Sequence, residues 1–106
     1  MTLQGKTLTL TYESGLIVRG RYTADSVAWE ALSGPAKGSR GTERTYVYAL
    51  SQNRFFVNWI EASGTSVSQI LDLDGGQVWS FVTDGAGGTR QGTLDRGAST
   101  VEDEHV

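Results

Sequence analysis

Hydrophobic and polar residues alternate along most of the chain with a period of two. The clearest case is residues 7–12, TLTLTY, where Leu8, Leu10 and Tyr12 share one face and threonines occupy the other. Side chains of a β-strand point alternately to its two faces, so this pattern predicts a strand with one buried side. No stretch of useful length shows the period of an amphipathic helix.

The same alternation predicts about eight strands with short connections. Their predicted bounds are Thr7–Tyr12, Leu16–Tyr22, Val27–Leu32, Glu43–Leu50, Arg54–Glu61, Thr65–Leu73, Gln77–Val82 and Thr89–Leu94. Even spacing and tight turns favour an all-β fold, a small antiparallel up-and-down barrel of the lipocalin-like kind, because closure removes the exposed edges of a sheet. We assign residues 1–97 to this barrel and residues 98–106 to an acidic, flexible C-terminal tail.

Composition narrows the classes of function. The net charge of −3 argues against a nucleic-acid binder, which needs a basic surface. There is no cysteine, and the single histidine, His105, lies in the tail, so we expect no metal site. Residues 1–6 contain no long apolar segment, so the expectation is a cytoplasmic protein without a membrane anchor.

The strongest candidate for chemistry is a carboxylate at the end of an apolar strand face. Val57, Trp59 and Glu61 have the same parity, and Thr65 and Gln69 share one face of the next strand. Pointed inward, these faces would place polar groups on an apolar wall of the barrel. Because burying a lone carboxylate is costly, Glu61 must be hydrogen-bonded or protonated there.

Two interpretations of Glu61 stay open. In the first it is a general acid or base, with Tyr12 as its partner and the hydroxyl of Thr65 within hydrogen-bonding reach. In the second it lies half solvated at the strand end and caps the backbone amides of the turn at residues 62–64.

Other candidates also have two interpretations each. Trp29 and Trp59 could line a pocket for an aromatic ligand or belong to an ordinary core. Arg40, in the loop of residues 33–41, could meet an anionic group of a ligand or be solvated. Apolar side chains that cannot all fit inside, including Tyr48 and Ile60, predict a homodimer that covers the outer face of the sheet.

Two motifs carry a resemblance to known families. LTLTYESG at residues 8–15, followed by VNWIEASGTSVSQ at 57–69, resembles the phenolic acid decarboxylases, which are lipocalin-type (calycin) barrels. With its continuation QILD at 69–72, the pattern is similar to the small MoaF-like proteins of the same barrel superfamily. The resemblance spans most of the chain in order and spacing, although identity is confined to the motifs.

The resemblance implies a cofactor-free site inside the barrel. In the decarboxylases a glutamate, an arginine and tyrosines act on a para-hydroxycinnamate. The family glutamate falls on Glu61, the following threonine on Thr65 and the second tyrosine of the first hairpin on Tyr12. The chain departs from that pattern elsewhere: Leu10 and Val18 replace tyrosines, and the arginine position holds a serine next to Arg40.

Three functions follow as alternatives. The first is a cofactor-free lyase or isomerase that acts on a small aromatic or unsaturated compound, with Glu61 as proton donor or acceptor. The second is a protein that binds a small apolar or aromatic molecule without chemistry. The third is a structural or partner-binding barrel whose interior is filled by Trp29, Trp59, Trp79 and the phenylalanines. The volume inside the barrel separates the third from the first two.

Overall fold

The fold was examined in a computed structural model that describes residues 2–84 and 92–102. These residues form nine strands: β1 Thr7–Tyr12, β2 Ile17–Tyr22, β3 Ser26–Ala31, β4 Arg40–Arg44, β5 Tyr46–Ser51, β6 Arg54–Ile60, β7 Ser66–Asp72, β8 Gln77–Thr83 and β9 Gly92–Val101. All pairings are antiparallel, in the order β4-β3-β2-β1-β9-β8-β7-β6-β5. The predicted all-β up-and-down barrel is therefore confirmed. No helix long and apolar enough to cross a membrane occurs within these residues.

The ninth strand arises because one predicted strand is divided in two. Within the predicted strand Glu43–Leu50, Glu43 of β4 pairs with β3, whereas Val47 of β5 pairs with β6. The buried residue Thr45 lies between the two halves. A single run of chain therefore connects both ends of the sheet, and the barrel is nearly closed.

The alternation of the sequence matches the two sides of the barrel wall. Leu8, Leu10 and Tyr12 of β1 are buried, as are Val57 and Trp59 of β6. The intervening threonines of β1 are only partly buried or exposed. The hydrophobic core thus lies inside the barrel, and the period of two identified its inward side correctly.

The pairing of the first strand with the last joins the two halves of the sheet. In the register of β1 and β9, Tyr12 stands opposite Gly97. A Cβ atom added at Gly97 would overlap the backbone carbonyl oxygen of Thr11. Glycine at this position therefore permits the close approach of the two backbones that makes one continuous sheet.

The last strand differs from the prediction. β9 continues to Val101, so residues 98–101 belong to the barrel and not to a tail. Glu102 is also held, because its Oε1 accepts hydrogen bonds from Arg19 Nε and Thr9 Oγ1, each at 2.9 Å. The predicted start at Thr89 and the tail beyond Glu102 lie outside the described residues. The inward positions of β9 before its last residue are polar or glycine (Thr93, Asp95, Gly97 and Ser99), so most of the strand carries no hydrophobic alternation.

An apolar row crosses the outside of four neighbouring strands. Tyr48, Phe56, Ile70 and Trp79 follow one another in register from β5 to β8. Tyr48 is 69% exposed. We call these four residues the outer apolar row. It ends at β5, an edge strand of the sheet, and such edges are ready sites for pairing with another chain.

We expect a second copy of the chain to cover the outer apolar row. Light scattering at micromolar concentration should then return the mass of a dimer, and Tyr48→Glu should shift it toward the monomer by placing a charge in the contact. Ala28→Glu, on the exposed face of β3, is the control and should leave the mass unchanged. A monomer mass for the unmodified protein would contradict the expectation.

Candidate ligand cavity

The barrel is hollow. It contains a cavity of about 620 Å³, within the range of roughly 300–1,000 Å³ that is typical of sites for small molecules. Trp29 and Trp59 line it. Trp79 instead shares the outer face with its register neighbours Ile70 and Arg96, so it takes up no space inside. A completely filled interior, the third alternative, does not describe this barrel.

A chain of hydrogen bonds crosses the cavity wall. The hydroxyl of Tyr22 donates to Oε1 of Gln69 at 2.9 Å, and Nε2 of Gln69 donates to the hydroxyl of Tyr12 at 3.5 Å. The hydroxyls of Tyr12 and Ser80 share a further bond of 2.5 Å. All four side chains are buried. This series of hydrogen bonds, which we call the interior network, links β2, β7, β1 and β8.

Burial keeps both tyrosines of the interior network protonated. Desolvation raises the pKa of Tyr22 far above its ordinary value, and the neighbouring Tyr12 adds to this. Desolvation is also the main cause that raises the pKa of Tyr12, and the negative charge of Asp95 acts in the same direction. Tyr12 is therefore a neutral hydrogen-bonding group near neutral pH, and it is not suited to act as a base.

The backbone and the side chain of Glu61 have separate roles. Its N–H donates to the carbonyl of Thr65 and its carbonyl accepts from the N–H of Gly64, both at 2.8 Å, which closes the turn. Its side chain lines the cavity, where Oε2 accepts a hydrogen bond of 3.2 Å from the indole Nε1 of Trp59. The turn is thus held by the backbone of Glu61, and the half-buried carboxylate is left to face the cavity.

The expected bond between Thr65 and the carboxylate of Glu61 is replaced by another. The hydroxyl of Thr65 accepts a hydrogen bond of 3.1 Å from Ser63, a residue of the same turn. Thr65 still lines the cavity. Among the described residues, the indole of Trp59 donates the hydrogen bond that the carboxylate of Glu61 accepts.

Six of the seven predicted site residues line one cavity: Glu61, Tyr12, Thr65, Trp59, Gln69 and Trp29. The seventh, Arg40, does not. It is an exposed residue at the start of β4 and lies in register with Glu30. Gly41 and Glu43 occupy the inward positions of this strand, so the alternation places Arg40 on the outside.

Ser80 and Asp95 are among the polar residues of the cavity that were not predicted from the sequence. Ser80 has the same parity as the inward residues of β8, so the alternation could have placed it on the inner wall. Asp95 follows the predicted end of the last strand at Leu94, so its parity could not be assigned. The carboxylate of Asp95 accepts hydrogen bonds from Ser14 Oγ at 2.6 Å and from the N–H of Arg96 at 2.9 Å.

The charges of the lining have one sign. Glu61 and Asp95 are acidic, and no lysine, arginine or histidine is among the described residues that line the cavity. The three ion pairs between described residues join other carboxylates, those of Glu13, Asp72 and Glu102, to arginines. The cavity is therefore a largely apolar space with two carboxylates on its wall.

The fold and cavity define a class, the small antiparallel barrels with a hollow interior. Residues 4–95 match the family model described as MoaF-like, and the chain belongs to this family. Its fold is similar to the crystal structure of a proposed beta-lactamase from Burkholderia vietnamiensis. The TM-score is 0.86 and the identity 20%, over 96% of this chain and 97% of the other. That identity supports a shared fold alone. A search of curated proteins found no significant match.

Loss of one hydroxyl tests the interior network. Tyr22→Phe should lower the free energy of unfolding by about 1–3 kcal/mol, because the buried carbonyl oxygen of Gln69 loses its donor. Tyr46→Phe makes the same change on an exposed residue outside the outer apolar row and should alter stability by less than about 0.5 kcal/mol. Denaturant titration of both variants gives the comparison, and equal stabilities would show that the network contributes nothing.

Proposed function

We propose that this protein binds a small, largely apolar or aromatic molecule inside its barrel, with Glu61 as the ionisable group that the ligand meets. The observation that carries the proposal is the cavity of about 620 Å³ with Glu61 on its wall. A barrel that served only as a scaffold would gain stability from filling this space, because an unfilled cavity costs packing energy.

The mixture of groups on the wall supports the same function. Sites for small molecules are mostly apolar, with a few polar groups that fix the orientation of the ligand. Here Leu10, Val18 and Val67 are among the apolar residues, and Glu61 and the interior network are the convergent polar groups. Trp59 orients the carboxylate through its indole hydrogen bond.

Catalysis is the finer alternative and requires the same bound molecule. A cofactor-free lyase or isomerase would use Glu61 to move a proton, with Tyr12 as a neutral hydrogen-bond donor. Decarboxylation of a hydroxycinnamate is not favoured, because two of the tyrosine positions of that family are the apolar cavity residues Leu10 and Val18. Turnover that disappears in Glu61→Gln while binding of the compound persists would distinguish catalysis from binding alone.

A neutral fluorescent dye can test whether the cavity accepts a ligand. N-phenylnaphthylamine should bind with an increase in fluorescence, because its apolar rings leave water for the barrel interior. Val18→Trp, which places a larger side chain on the cavity wall, should weaken this binding by about tenfold or more. Ile60→Trp is the control, since Ile60 is 65% exposed and does not line the cavity.

The dye experiment has a clear negative outcome. If the unmodified protein does not enhance the fluorescence, or if Val18→Trp and Ile60→Trp bind the dye equally, the cavity is not the binding site. Circular dichroism of both variants would establish that each retains its β-sheet fold.

A further inference from the structure

The charges and hydrogen bonds of the cavity indicate which class of molecule it takes. We propose that the ligand is an organic cation, a protonated amine with an apolar or aromatic body, whose charge lies against Glu61 and Asp95. This inference rests on the proposed function, that the cavity binds a small molecule, and it adds the charge of that molecule.

The charged side chains on the described cavity wall are all negative. Glu61 and Asp95 both line the cavity, and the described lining includes no cationic side chain. Neither carboxylate has a salt bridge to another described residue. An anionic ligand would bring like charge into a partly desolvated space, whereas a cation would supply the missing opposite charge.

The hydrogen bonds that the two carboxylates accept leave their charge available to a ligand. Glu61 accepts from Trp59 through Oε2, and no bond from a described residue to its Oε1 is found. Asp95 accepts from Ser14 and from the backbone of Arg96. These donors are neutral, so they orient the carboxylates without neutralising them.

The cavity wall also contains several aromatic side chains. Tyr12, Tyr22, Trp29 and Trp59 all contribute to the cavity wall. Aromatic rings attract cations through their quadrupoles and also accept the apolar part of an amine. Tyr12 and Tyr22 stay neutral because burial raises the pKa of each, so they add no competing charge.

The interior network supplies one further contact. Tyr12 and Ser80 share a single hydrogen bond, although each hydroxyl carries a proton. Whichever hydroxyl donates, the proton of the other is not used in that bond. The network therefore offers one donor to an acceptor atom on the ligand, such as a hydroxyl or ether oxygen distant from the amine.

A series of three compounds with the same phenyl ring tests the charge. Phenylethylamine is a cation at neutral pH, phenylethanol is neutral and phenylpropanoate is an anion. In competition with bound N-phenylnaphthylamine, phenylethylamine should displace the dye at a concentration lower than phenylethanol by about tenfold or more, and phenylpropanoate should be the weakest. Equal displacement by all three, or by none, would overturn the inference.

Substitutions assign the effect to the carboxylates. Glu61→Gln keeps the volume of the side chain and an oxygen for the indole of Trp59, and it should remove most of the preference for phenylethylamine over phenylethanol. Asp95→Asn should reduce the preference as well, and it provides the test if Glu61→Gln does not fold. Glu30→Gln changes the net charge equally on a residue outside the cavity lining, and it should keep the preference.

The outcomes separate this inference from the proposed function. A protein that binds the dye but does not discriminate among the three compounds, or whose Glu61→Gln and Asp95→Asn variants discriminate as strongly as the unmodified protein, is a ligand-binding barrel without a cation site. A protein that binds neither the dye nor any of the three compounds would overturn the proposed function itself.

Discussion

The stability of the hollow barrel depends on the interior network of Tyr22, Gln69, Tyr12 and Ser80. A cavity removes packing contacts from the wall, and polar groups on that wall would add a desolvation cost if they lacked partners. In this barrel they satisfy one another across β1, β2, β7 and β8. The network therefore fixes opposite parts of the wall relative to each other while leaving open space beside it.

The cavity wall has two different polar regions, one neutral and one negatively charged. Its tyrosines are neutral because burial opposes their ionisation, whereas Glu61 and Asp95 are carboxylates oriented by neutral donors. A ligand can therefore meet a hydrogen-bonding region and a charged region along the same wall. Such a division favours one orientation of an asymmetric molecule, because each end of the molecule has a distinct complementary region.

Alternation was sufficient to predict most of the fold and several of the residues that line the cavity. The parity of Trp59, Glu61 and Gln69 placed them on the inner wall, because the inward side of each strand is the more apolar one. Prediction was poorer where the inward residues are not apolar, as in β9, so Asp95 was not identified. Arg40 was assigned to a loop, and its outward direction became evident only once β4 was seen to begin there.

The division of the segment around Thr45 could not be predicted, for a different reason. Residues on both sides of Thr45 suit a strand, and the change of partner from β3 to β6 depends on the curvature of the whole sheet. Likewise, the hydrogen bond between Thr65 and Ser63 depends on the conformation of one turn. Local patterns carry information about the face that a residue occupies but not about long-range pairing.

The pairing of β1 with β9 determines when the cavity forms during folding. These strands lie at opposite ends of the described chain, so their contacts have nearly the largest sequence separation available, and such contacts form slowly. Tyr12 is on one of these strands and Asp95 is on the other. A chain still emerging from the ribosome has no complete cavity, and a ligand that binds only the closed barrel would draw the folding equilibrium toward the finished molecule.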